Sequence, residues 1–171
     1  IFYYLTVYNE NYSHPKMPND CGEGILKGMY LFKDASRELE KKYTGEPIHL
    51  LGSGSIMQQV LEAQEQLESQ GIPVNVWSVT SYNLLHKDFL ESKKSKEKSY
   101  IESILHDHTG HFFAVSDFIS LLPDSLAHLF PGSFTSLGTD GYGLSEGREE
   151  LRDYFGISAN SIIEKVLEVS K

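Results

Sequence analysis

Residues 47–79 read PIHLLGSGSIMQQVLEAQEQLESQGIPVNVWSV, and the period of their apolar positions changes twice along that stretch. Ile48, Leu50 and Leu51 form a short apolar strand that ends in Gly52-Ser53-Gly54-Ser55. Ile56, Met57, Val60, Leu61 and Leu67 then share one helical face, Glu62, Glu65 and Glu68 occupy the other, and Gly71 is a natural C-terminal stop. Val74, Val76 and Val79, with Trp77, give a second, β-branched strand. A strand, a helix and a strand at this spacing make a crossover unit of a parallel sheet.

Downstream, a polar and helical stretch runs from Ser81 through Leu105, followed by the apolar run Phe112 to Val115. A helix is expected from about Phe118 to Phe130, kinked or split by Pro123, which lacks an amide donor and clashes with the preceding turn. Ser133 to Leu137 reads as the last strand, the glycine-bearing loop Gly138 to Gly143 follows, and two short helices close the chain, the final one capped by Ser158. Upstream, the residues Ile1 to Tyr8 read as an apolar strand, Asn9 to Asp20 as an extended connector, Gly22 to Phe32 as a helix, and Lys33 to Glu46 as a polar segment with a turn around Leu39. The expected architecture is α/β: three layers, with an open, mainly parallel sheet, helices on both faces and right-handed crossovers. Such folds bind ligands beyond the carboxyl ends of their strands.

The chain has 171 residues, within the range of one domain, and its first residues carry no initiator methionine, so a piece of a longer polypeptide is expected. A net charge of -9 argues against nucleic acid as the main partner, and the one basic stretch, Lys87 to Lys98, is interrupted by Asp88, Glu91 and Glu97. No apolar run reaches the roughly 20 residues that span a bilayer, so no membrane partner is expected. The single cysteine, Cys21, excludes an internal disulfide and favours a cytoplasmic protein.

Four motifs invite a chemical reading. The turn Gly52, Ser53, Gly54, Ser55 could offer backbone amides to an anion, but it lacks the lysine of a phosphate-binding loop; a tight turn with a serine capping the helix is expected instead. His106, His108 and His111 have no spacing that fixes a closed metal shell, and a solvated loop before a strand is expected. Cys21 near His14, in a connector, is weak evidence for an activated thiolate. Asp140, just past a strand end and among glycines, is a lone carboxylate that defines no reaction, so its loop is expected to pack against another domain or subunit. No catalytic or metal residue is assigned.

Three ordered segments resemble the homodimeric, thiamine-diphosphate-dependent pyruvate dehydrogenase component and, more distantly, transketolase. They are Phe2-Tyr3-Tyr4-Leu5-Thr6 with Asn9-Glu10-Asn11-Tyr12 and Pro15-Lys16-Met17-Pro18; Leu50 to Ile56 with Val76 to Ser81; and Leu137-Gly138-Thr139-Asp140-Gly141-Tyr142-Gly143 with Ser145, Arg148, Leu151, Arg152 and Phe155. The resemblance implies that residues 1–20 end a pyrimidine-binding domain and its connector, and that 21–171 form a transketolase C-terminal-like domain. It implies an enzyme that decarboxylates pyruvate and acetylates a lipoyl group, with the diphosphate of thiamine diphosphate and its magnesium held by the amino-terminal domain, the glutamate that activates the aminopyrimidine in the middle domain, and none bound here. The implied partners are those two domains, the second subunit of a homodimer, and a dihydrolipoyl acyltransferase. Asn9, Glu10, Asn11, Tyr12, Thr139, Asp140, Gly141 and Tyr142 are the candidates for contact with the missing parts. A transketolase or other 2-oxo-acid dehydrogenase domain, and a flavodoxin-like module holding a small anion on the Gly52 to Ser55 turn, remain as alternatives.

Overall fold

A computed structural model describes residues 2–5, 7 and 11–170. Strands β1 (Met29–Lys33), β2 (Ile48–Gly52), β3 (Val74–Val79), β4 (Gly110–Val115) and β5 (Gly132–Leu137) form one sheet in the order β1-β3-β2-β4-β5. Pairing is parallel throughout except where β1 runs antiparallel to β3. The helices are α1 (Gly22–Lys27), α2 (Arg37–Glu40), α3 (Met57–Ser69), α4 (Tyr82–Ser95), α5 (Tyr100–Ile104), α6 (Leu121–Asp124), α7 (Arg148–Tyr154) and α8 (Ala159–Val169).

Strand alternation sorts the core into two layers. Ile48, Leu50, Val74, Val76, Phe113 and Val115 face α3 and α8, where Val60, Leu67, Ile162 and Val166 are fully buried. Leu51, Trp77, Val79, Phe112 and Ala114 face the opposite way, against Leu85, Phe89, Ile101, Leu105 and Leu126 of α4, α5 and the segment after α6. The result is the expected three-layer, mainly parallel sheet.

Several local expectations change. The helix over Gly22 to Phe32 stops at Lys27, because Gly28 turns left-handed at φ 110° and its carbonyl accepts the amides of Thr80 and Ser81. Met29 onward becomes β1, pairing with the edge that β3 would otherwise leave open. A side chain at position 28 would also strike the Ser81 carbonyl at 2.6 Å. Phe2 to Leu5 and Val7 lie in no strand and are exposed; the other residues of that segment lie outside those described. The stretch from Ser81 to Leu105 is two helices, broken where Lys96 adopts φ 61° and restarted by a capping box in which Ser99 accepts the Glu102 amide while Glu102 accepts the Ser99 amide at 2.9 Å. The expected Phe118 to Phe130 helix is split, as Pro123 requires: Pro123 sits in the first turn of α6, where its missing N–H costs nothing, and only a 3-10 turn at Ala127–Leu129 follows. Ser158 caps α8, accepting from the Ser161 amide.

Polar side chains are buried against this sheet too, Gln64 of α3 on one face and His49 on the other. His49, in β2, is 1% exposed and stacks on Phe112 with ring centroids 4.3 Å apart. The Trp77 indole can only donate, so His49 Nδ1 accepts from it at 3.2 Å; the Thr109 carbonyl can only accept, so Nε2–H donates to it at 3.0 Å. The ring is therefore the neutral Nε2–H tautomer. Burial, above all, lowers its pKa from 6.5 to about 4.

Because the unfolded chain takes up this proton and the folded one does not, stability falls as pH drops from 6.5 to about 4 and is fully present above that window. His49 should remove roughly 3 kcal/mol across it. Urea titrations at pH 7 and pH 4.5 check this, and a His49→Phe variant should show a shallower decline.

Candidate functional site

From β2 the chain crosses to β3 on one side, and from β4 to β5 on the other, so the loops that leave the adjacent strands β2 and β4 diverge at their carboxyl ends. That divergence opens the crevice in which open α/β sheets place ligands. Here it holds Ser53 to Ser55 on one bank and Ser116 to Ser120 on the other.

The turn after β2 does not act as a bare amide cradle. The Ser55 hydroxyl donates to Asp117 Oδ2 at 3.2 Å, so a carboxylate of the chain itself stands before the start of α3. Neither Ser53 nor Ser55 makes the expected helix cap; Ser53 precedes a 3-10 turn with no side-chain cap, and Ile56 precedes α3. Beside Asp117 lies a pocket of about 440 Å³ with Thr139, Glu146, Arg148 and Arg152 on its polar side and Ile56, Leu144, Leu151, Phe155 and Ile157 on its apolar side. No histidine lines it, so the serine and carboxylate there lack the base that would activate a hydroxyl nucleophile.

The loop after β5 is locked onto the loop after β4. Thr139 N–H donates to the Phe118 carbonyl at 2.9 Å, and Asp140 accepts the Ser120 amide at 3.0 Å through Oδ1 and its hydroxyl at 2.7 Å through Oδ2. Asp140 thus joins two loops 20 residues apart in sequence, at the start of α6. The Ser120 hydroxyl first, then its amide, holds the Asp140 carboxyl below the usual carboxylate range. The approach is close enough to exclude a side chain at Gly138, where a Cβ would lie 2.6 Å from both Phe118 O and Ser120 N. Past it, Gly141 adopts φ 89° and Tyr142 is 96% exposed. Phe118, Leu121 and Leu144 are exposed on the same edge.

Of the connector candidates, Asn11 is exposed, and Asn9 and Glu10 lie outside the described residues. Tyr12 reaches across to the third segment: its hydroxyl accepts from Arg148 Nη1, and the guanidinium stands 5.8 Å from its ring centroid. The structure therefore gathers Tyr12, Ser55, Thr139 and Asp140 at one edge of the sheet. The histidine cluster does not converge there: His106 bonds the Ser103 carbonyl, His108 packs edge-on against His49 and Trp77, and His111 bonds Ser133. Among the described residues no three His, Cys, Asp or Glu side chains are placed to hold a metal ion. Asp117 was not marked by the sequence; it becomes a site residue only because β2 and β4 are neighbours, a fact of strand order that no local pattern carries.

The model of the transketolase-like C-terminal domain family matches residues 28–158, most of the chain. The chain belongs to this family. As a transketolase-like C-terminal domain it resembles curated proteins named pyruvate dehydrogenase E1 component: that of Pseudomonas aeruginosa is 37% identical across 98% of this chain and 20% of its own length. The Escherichia coli protein of the same name is 34% identical across 95% of this chain and 19% of its own. The domain thus spans about a fifth of the length of these relatives. Among solved structures, transketolase from Pichia stipitis superposes with a TM-score of 0.64 at 19% identity, over 91% of this chain and 20% of that one. The Campylobacter jejuni transketolase gives 0.60 at 23% identity, over the same shares. These two likenesses concern the fold.

Gly138→Ala should force the two loops apart and destabilise the domain by about 1–3 kcal/mol. Thermal melting of the variant beside a Gly143→Ala control, where a Cβ meets nothing within 4 Å, checks that the cost comes from the close approach.

Proposed function

We propose that this domain is the carboxy-terminal part of a thiamine-diphosphate-dependent pyruvate dehydrogenase component, and that it assembles and closes the enzyme without capturing the cofactor. In this reading residues 1–20 end the preceding domain and its connector, and 21–171 are the domain proper. The observation that carries it is the identity of 31–37% over nearly the whole chain to relatives that share the name pyruvate dehydrogenase E1 component. The whole cytoplasmic enzyme would convert pyruvate and a lipoyl group into carbon dioxide and an acetyl-dihydrolipoyl group on an acyltransferase partner.

The turn at Gly52 to Ser55 does not suit a diphosphate: it faces Asp117, a like charge, and Ser55 is already bonded to that carboxylate. The same contact weighs against a stand-alone module holding a small anion on Gly52 to Ser55. Exposed Phe118, Leu121, Tyr142 and Leu144, together with Thr139, Asp140 and Gly141, support a docking role for this edge toward the missing domains or the second subunit. Asn9 to Tyr12 would enter the same contact from the connector.

The full-length polypeptide should decarboxylate pyruvate in a thiamine-diphosphate-dependent assay and leave sugar phosphates unchanged; turnover of sugar phosphates instead would move the domain to a transketolase. Calorimetric titration of residues 21–171 alone with thiamine diphosphate and magnesium should give no heat of binding at concentrations that saturate the whole enzyme.

A further inference from the structure

We propose that Tyr12 and Arg148 form a clasp that sets the direction in which the connector leaves the domain, making Arg148 a positioning residue for whatever polypeptide precedes it. That such a polypeptide exists rests on the function proposed above; the clasp itself does not.

The connector needs an external hold. Residues 11–18 form no helix or strand, and Pro15 and Pro18 remove two of the amides that could tie it down. A groove of about 450 Å³ is lined by Tyr12 to Pro15 and Met17 on the connector side and by Tyr30, Phe32, Met57 and Leu61 on the domain side. What holds it are point contacts. At the inner end Cys21 Sγ donates to the Pro18 carbonyl at 3.2 Å, and next to Tyr12 Gln58 Nε2 donates to the Ser13 carbonyl at 3.3 Å. At the outer end the Tyr12 ring and hydroxyl both meet Arg148, 136 residues away.

Arg148 is poorly explained by its own helix. It is the first residue of α7, after the cap Gly147, where the positive end of the helix dipole disfavours a cation; Glu149 and Glu150 are the residues that suit that turn. A guanidinium can stack on an aromatic face and donate to its hydroxyl from one planar group, which an ammonium does less well. Arg148 also follows directly on the loop that carries Thr139 to Tyr142, and shares a pocket with Thr139 and Asp117. The clasp therefore ties the connector to the loop after β5, so the two segments of the docking edge keep a fixed separation.

Limited proteolysis of the full-length protein with a lysine-specific endoprotease, fragments read by mass spectrometry, tests this, comparing the parent with Tyr12→Phe, Arg148→Gln and the double variant. Cleavage after Lys16, exposed in the connector, should be about tenfold faster in Arg148→Gln. Tyr12→Phe, which keeps the ring and loses the hydroxyl, should fall between, and the double variant should match Arg148→Gln, while cleavage elsewhere in the domain stays unchanged. Unchanged cleavage after Lys16 in both single variants, or effects that multiply in the double, would overturn the clasp. If Arg148→Gln does not fold, Tyr12→Phe decides alone: faster cleavage confined to Lys16 supports the clasp and unchanged cleavage overturns it. Pyruvate turnover measured on the parent sample reports separately on the proposed function, since the cleavage result stands whether or not that activity is found.

Discussion

Every residue of β2 is buried, and the strand lies between two parallel neighbours, so it meets the rest of the domain on both faces and both edges. A five-residue segment in that position cannot be satisfied by one crossover. Its Ile48 and Leu50 side need α3 and α8, its His49 and Leu51 side needs α4, α5 and the segment after α6, and the chain must reverse its direction across the sheet to supply both. His49 shows how strict the demand is: a polar ring is tolerated there because Trp77 and Thr109 meet both of its nitrogens and Phe112 covers its face.

That reversal fixes where the chain can open. Once β2 and β4 send their connections in opposite directions, the loops beyond their paired carboxyl ends must part, and the gap is filled from within. Asp117 takes the Ser55 hydroxyl, and Asp140 takes both donors of Ser120. These carboxylates are engaged in holding loops together, whereas the large apolar side chains Phe118, Leu121 and Tyr142 face outward on the same edge. Polar groups satisfied internally beside uncovered apolar ones favour docking over chemistry, which is the physical basis of the proposed role.

The unit from Pro47 to Val79 was legible because its periodicity shifts from strand to helix and back within a single crossover. The Ser158 cap and the effect of Pro123 were legible for the same local reason. β1 was not: Ile25, Leu26, Met29 and Phe32 have helical spacing, and only the left-handed Gly28 and the open side of β3 convert the second half of that pattern to a strand. The break before α5 did carry a local signal, Ser99-Tyr100-Ile101-Glu102, the spacing of a capping box. At the edge, the positions of Asp140 and Tyr12 stood out in the sequence, but their partners Ser120 and Arg148 are separated from them by 20 and 136 residues, and such pairings follow only from strand order.

The two clearest protonation-sensitive features are placed so that the edge outlasts the core. Asp140 has its pKa lowered by Ser120, so it stays ionised, and its two hydrogen bonds stay intact, until the pH falls below the ordinary carboxylate range. His49 is penalised earlier, from 6.5 downward, because its unfolded form gains a proton that the buried ring refuses. On acidification the sheet therefore weakens before the Asp140 latch opens. At neutral pH the Asp140 carboxyl is ionised and the His49 ring is neutral. The proposed docking edge therefore rests on β2 and β4 beneath it and on the Asp140 latch that joins its loops.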